Sequence, residues 1–144
     1  MGWGATVLPP ADHDLVEWPS TNDDLKKYYR EILEELPYVA ADDKLSTVFP
    51  TYSNNLGKLN LTGGNKKLLD KLKENKSLNA RNDILFGQAR LLVKSDSKLS
   101  QNGCRYCGYC MSGCVYGNLY KSSDDIDKMI ASKQIKYLPK YLVI

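Results

Sequence analysis

All four cysteines of the chain fall in one segment, CRYCGYCMSGC, at Cys104, Cys107, Cys110 and Cys114. The spacing is C-x2-C-x2-C-x3-C. Thiolates two residues apart in a glycine-rich loop can converge on one soft metal, and the backbone N–H groups exposed by such turns stabilise anionic sulfur. This is the cysteine run of bacterial ferredoxins. In two-cluster ferredoxins, however, the fourth cysteine serves the other cluster and a proline follows it. Here Val115 follows Cys114 and there is no second run. A single cluster therefore takes Cys104, Cys107 and Cys110 with Cys114 as an awkward fourth ligand, or uses only three cysteines. Both a three-iron (3Fe-4S) and a four-iron (4Fe-4S) cluster stay open. Zinc is the alternative, although four-cysteine zinc sites usually join two separated C-x2-C knuckles. A disulfide pair and a loop that keeps the spacing without metal are the remaining readings.

The other chemistry-bearing residues are sparse. His13 is the only histidine and sits in a proline-rich stretch between Asp12 and Asp14, which suits a surface role. No Ser/His/Asp set, P-loop or G-x-G-x-x-G fingerprint is present, so no catalytic residue is assigned. Asp23, Asp24, Asp124 and Asp125 stand at predicted helix starts, where capping and the helix dipole explain them. Tyr106, Tyr109, Tyr116 and Tyr120 surround the cysteines, and are read as half-buried anchors before they are read as a shield for a cluster.

The elements that must position the cysteines follow from periodicity. The chain has 144 residues, the size of one domain, with a net charge of +3. Residues 1–20 form an irregular lead-in broken by Pro9, Pro10 and Pro19. A helix follows, capped by Ser20 or Thr21 with Asp23 or Asp24 as the acidic partner. Leu25, Tyr28, Tyr29, Ile32, Leu33 and Leu36 mark its buried stripe, Pro37 ends it, and Trp18 is placed to pack on its first turn. Residues 38–64 read as loop with one helical turn near Asp42–Leu45. NKKLLDKLKENKSL predicts a second helix, with Leu68, Leu69 and Leu72 inward. ILFGQARLLVKS predicts a strand bent at Gly87. The cysteine loop, residues 103–118, comes next. Ser122 or Ser123 then caps a third helix carrying Ile126, Met129 and Ile130, and QIKYLPKYLVI predicts a closing hairpin. The expected fold is α+β: about three helices on a small, mainly antiparallel sheet, with long irregular loops. The apolar ending predicts a piece of a longer protein.

Charge and hydropathy exclude several functions. Lysines and arginines form no basic stripe, which argues against nucleic acid. No apolar run approaches the ~18 residues of a membrane helix, and no signal peptide is visible. A cytoplasmic, reducing setting is the expectation, and it weakens the disulfide reading. The myristoylation-like MGWGAT is read as a chance match, and the sequons at Asn60 and Asn75 matter only in a secreted protein, for which nothing argues.

GWGATVLPP, DHDLVEWP and DLKKYY, followed by GQARLLV and CRYCGYCMSGCVYG, resemble in order the glucose–methanol–choline (GMC) oxidoreductases. The likeness is strongest to bacterial members associated with surface-polysaccharide gene clusters. It runs over most of the chain, with residues 38–83 matching only in length and helix pattern. The resemblance implies part of an FAD-dependent enzyme that oxidises an alcohol, a sugar or polyol, by hydride transfer to flavin. This chain would be the middle, substrate or cap side, and inactive alone. Trp3 and Gly4 would lie near the flavin, and the cysteine loop would carry electrons away. The FAD pyrophosphate site and the family's histidine base have no counterpart here, so the FAD-binding remainder of the flavoprotein would be its partner. A stand-alone ferredoxin-like or zinc module is the alternative. Substrate and electron acceptor are not specified by the sequence.

Overall fold

The computed structural model describes residues 6–95 and 103–141. Trp3 and Gly4 lie outside the described residues. The fold is α+β, with four α-helices and one small antiparallel sheet among the described residues. The helices are α1 (Asn22–Glu35), α2 (Gly63–Glu74), α3 (Lys76–Arg81) and α4 (Ser122–Ala131). The strands are β1 (Tyr38–Val39) and β2 (Leu91–Leu92), paired Tyr38 to Leu92 and Val39 to Leu91.

Both edges of this short sheet are covered. Gly57 bridges Val39 on the outer edge of β1. Beyond β2, Thr6 bridges Leu91 and Leu119 bridges Val93. The described part of the lead-in, expected to be irregular, carries a 3-10 turn at Asp12–Leu15 and also closes an edge, with Val7 N donating to Arg90 O at 3.1 Å. Covered edges leave few unpaired backbone groups to recruit other chains.

Side chains alternate across the sheet and make two apolar clusters. Leu33, Tyr38, Ala40 and Leu92 are buried together on one face, with Val7, Leu36, Tyr52, Leu56 and Tyr120 packed against them. Val39, Leu91 and Val93 are buried on the other, with Leu59, Ala89, Cys104 and Leu119. Helix α1 closes the first face. The cysteine loop reaches the second.

The start of α1 follows the sequence closely. Thr21 is the N-cap, its Oγ1 accepting from Asp24 N, while the Asp24 carboxylate accepts from Thr21 N at 2.9 Å. The buried stripe is narrower than its periodicity predicts: Leu33 is buried, Leu25, Tyr29 and Leu36 are half-buried, and Tyr28 and Ile32 are exposed. A sheet only two residues long cannot cover a whole helix face. Trp18 lines a hollow beside the first turn of α1 but stays 62% exposed, so it is no closed staple.

Other elements depart from the periodicity. The second predicted helix is two helices meeting at Asn75, which ends α2 and precedes α3. Leu68 is exposed although it belongs to the predicted inward face. The predicted strand over ILFGQARLLVKS is regular only at Leu91–Leu92. Residues 84–90 form no ladder, and Gln88 N there bonds Asp43 Oδ2 at 2.7 Å. A Cβ on Gly87 would lie 2.4–2.5 Å from the Asp43 carboxylate, so only glycine fits that approach. The turn predicted near Asp42–Leu45 is a 3-10 turn at Lys44–Thr47, capped by Asp43 through Leu45 N. α4 forms where expected, although Lys121 occupies the N-cap and makes no side-chain bond. The closing hairpin does not form among the described residues, where residues 136–141 carry only a turn.

A polar hub fastens these parts. Arg90 is 1% exposed inside an apolar run. Its guanidinium meets Asp43 Oδ1 at 3.2 Å and donates to Phe49 O, Ala41 O, Gln88 O and Ser46 Oγ. Asp43 Oδ2 in turn accepts from Gln88 N at 2.7 Å. A buried charge with this many partners is tolerated because its hydrogen-bonding capacity is met.

Candidate metal centre

The cysteine loop leaves the sheet after β2 and returns to it before α4. Its base is stapled by backbone bonds. Cys104 N donates to Lys94 O at 2.9 Å, Lys94 N to Asn118 O at 2.9 Å, and Tyr120 N to Leu92 O at 3.1 Å. Asn118, 3% exposed, adds a side-chain bond from Nδ2 to Gly103 O at 3.0 Å. The two ends of the loop are therefore tied to each other and to β2.

Between these ends the backbone turns tightly. Gly108 and Gly113 take φ of +81° and +93°, where side-chain-bearing residues are strained. A 3-10 turn at Cys110–Ser112 is closed by Ser112 N on Tyr109 O and Gly113 N on Cys110 O. Nothing lies within 4 Å of where a Cβ would stand on Gly108, Gly113 or Gly117, so the turns have open space around them.

The four cysteines differ in surroundings. Cys104 is half-buried against Val39, Leu91 and Val93. Cys107 is exposed, and Cys110 and Cys114 are half-buried. Cys114 Sγ accepts a bond from Asn118 N at 3.4 Å. That bond holds the thiol below its ordinary pKa, with Tyr116, Leu119 and Gly117 N–H groups adding to it against an opposing desolvation effect. This is a nest of backbone donors around one sulfur, the arrangement that favours thiolate.

All four thiols are free. Among the described residues no three His, Cys, Asp or Glu side chains are gathered as around a metal ion. The predicted ligands therefore share one loop, with Cys104 and Cys114 near its two ends, but they do not form a closed ligand set. The donor chemistry nevertheless fits a soft metal: four thiols in one loop, a nest of N–H groups at one of them, and glycine turns between them.

The tyrosines resolve into different roles. Tyr106 Oη accepts from Asn60 N at 3.0 Å and ties the loop to the segment before α2. Tyr116 lies under the Arg105 guanidinium at 4.9 Å from its ring centre. Tyr120 packs on the first core cluster. Tyr109 is 70% exposed and shields nothing. Anchoring is thus the reading that fits Tyr106 and Tyr120. His13 is a surface residue, its Nε2 3.4 Å from Asp14 Oδ1.

Sequence reasoning missed one residue that shapes this site and one that fastens the rest of the fold. Asn118 was hidden among loop residues, its only signal being the Gly-Asn pair that re-enters the sheet. Arg90, the centre of the polar hub, had a clearer signal, a lone cation inside the apolar run ARLLV. No helix among the described residues is long and apolar enough to cross a membrane. Comparison with known proteins finds no matching family model, no matching curated protein and no matching solved structure.

Proposed function

We propose that residues 103–118 are a soft-metal centre of the iron–sulfur type, held by Cys104, Cys107, Cys110 and Cys114. In this reading the chain is the cap-side part of a GMC-like, FAD-dependent alcohol oxidoreductase. The single observation that carries the metal reading is the loop itself. Four thiols share one glycine-turned excursion whose ends are stapled to β2, with Cys104 on the core and Cys114 in a nest of N–H groups. The GMC assignment rests on the ordered sequence motifs.

A bound cluster would supply one-electron transfer between a reduced flavin and an acceptor. The chain's own contribution is positional. Asn118 and the Lys94–Cys104 bond fix the loop base. Asn118 N–H and its neighbours stabilise the Cys114 thiolate. Cys104, packed on Val39 and Leu91, anchors one ligand in an apolar wall. Gly108 and Gly113 allow Cys107 and Cys110 to turn toward the others on loading. The FAD pyrophosphate site and catalytic base come from outside this chain.

The test is anaerobic reconstitution with iron and sulfide, read by iron and acid-labile sulfide content and visible absorption. A broad visible band with stoichiometric sulfide is expected, and it should be lost in Cys107→Ala. Colourless protein that takes up zinc instead would overturn the iron–sulfur reading. A flavin retained by this chain alone would overturn the claim that FAD binds elsewhere.

A further inference from the structure

On the side of the molecule formed by α2, α3 and the extended segment before β2 lies a cleft of about 1010 Å³. That is the upper end of the volume range of small-molecule pockets, about 300–1,000 Å³. It is independent of the cysteine-loop reading.

The cleft walls are aliphatic. Leu59, Leu61, Leu68, Leu69, Leu85 and Phe86 line it. Leu61, Leu68 and Leu85 are among the exposed large apolar residues, so this surface has not found its cover within the described chain. Exposed apolar residues grouped in one concavity mark a binding site. Asn60, Asn65, Asn79 and Gln88 also line the cleft, but most of its surface is apolar, which suits an alkyl chain better than a sugar or nucleotide.

Charge defines the other half of the ligand. Lys44, Lys73 and Lys76 also line the cleft and are exposed. None of the ion pairs among the described residues engages them. Two carboxylates share the lining, Asp43 and Asp83. Asp43 is committed to Arg90, which leaves Asp83 against three unpaired ammonium groups. The break between α2 and α3 at Asn75 sets Lys73 and Lys76 on either side of the junction.

We propose that this cleft binds a single-chain anionic amphiphile, a free long-chain carboxylate, with its alkyl chain along the leucines and its headgroup at Lys73 and Lys76. An apolar cleft whose lining includes exposed lysines with no ion-pair partner among the described residues matches that ligand in both halves. An uncharged chain satisfies only the first half, and a cationic one is repelled by the second.

The probes are sodium dodecanoate, 1-dodecanol and dodecyltrimethylammonium, each titrated into the full chain below its critical micelle concentration. Binding is followed by amide chemical shifts. Dodecanoate should bind best and move the signals of Leu69, Leu85 and Phe86 most. Lys73→Glu with Lys76→Glu, both exposed helical positions that leave the fold intact, should weaken dodecanoate about tenfold or more and improve the cation. Ala80→Trp should narrow the cleft and weaken all three probes. If that variant does not fold, the charge reversal decides alone. Equal affinity for anion and cation, or an unchanged affinity after charge reversal, overturns the proposal. So does sedimentation showing that the cleft is buried against a second copy of the chain, or shifts confined to residues outside the cleft.

Discussion

The Arg90 hub and the cysteine loop lie on either side of the same two-residue strand and are built in opposite ways. The hub concentrates its bonds in side chains. One guanidinium, 1% exposed, gathers a carboxylate, a hydroxyl and three backbone carbonyls from segments up to 49 residues apart. The loop spends its side chains differently: its base is held by backbone bonds, while its thiols are free, Cys104 lying on the core, Cys107 in water and Cys114 in a nest of N–H groups. The difference teaches which part is structural and which is free for chemistry. A buried ion with all partners met has one arrangement. A glycine-turned loop held at its base and by the Asn60–Tyr106 bond has fewer cross-chain bonds to fix it, so its local opening should cost less.

The largest expected effect comes from breaking the hub. Asp43→Ala leaves the Arg90 guanidinium buried without its counter-ion and removes the acceptor of Gln88 N and Leu45 N. Stability to urea should fall by about 3 kcal/mol, at the low end for breaking a buried pair because Asp43 is partly solvated. Loss of less than about 1 kcal/mol would mean that the hub is not what fastens segment 84–90.

Asn118→Ala attacks the loop base instead. It removes the bond to Gly103 O and leaves a buried carbonyl unpaired, a cost of about 1–3 kcal/mol. The hub should be untouched, so amide exchange should speed up in residues 103–118 and stay slow at Arg90. Uniform acceleration across both regions would show that they are one cooperative unit.

Acid provides the smallest effect and a reference outside both regions. Asp24 has a pKa lowered by the Thr21 N–H, then by the Thr21 hydroxyl. A carboxylate with a folded pKa below its ordinary 3.8 contributes stability above pH 3.8, and that contribution is lost as pH falls through the lower folded value. The first turn of α1 should therefore fray below pH 3.8, as seen in its amide shifts, and Asp24→Asn should abolish that pH dependence. The loop and hub signals should not follow the same transition.

Local chemistry was legible where neighbours in sequence decide it. Thr21 with Asp24 reads as a capping box because both bonds close within three residues. Gly87 reads as a bend, although the reason for it, the Asp43 carboxylate, comes from 44 residues away. The stripe of α1 was only half legible: periodicity says which residues share a face, not how much of that face a two-residue sheet can cover. Leu68 shows the same limit, since an inward-looking position lines an open cleft.

By itself the sequence determined the α+β class, the place of the first helix, the loop that holds every cysteine and the soft character of its donors. These depend on side-chain type and on spacing within about one turn or one loop, which a linear reading captures. Tertiary structure alone decided that Arg90 pairs with Asp43, that Asn118 closes the loop, that Cys104 meets the core while Cys107 meets water, and that aliphatic walls and lysines share one cleft. Each of these joins segments remote in the chain, and such meetings are set by which surfaces exclude water together, a property of the folded whole.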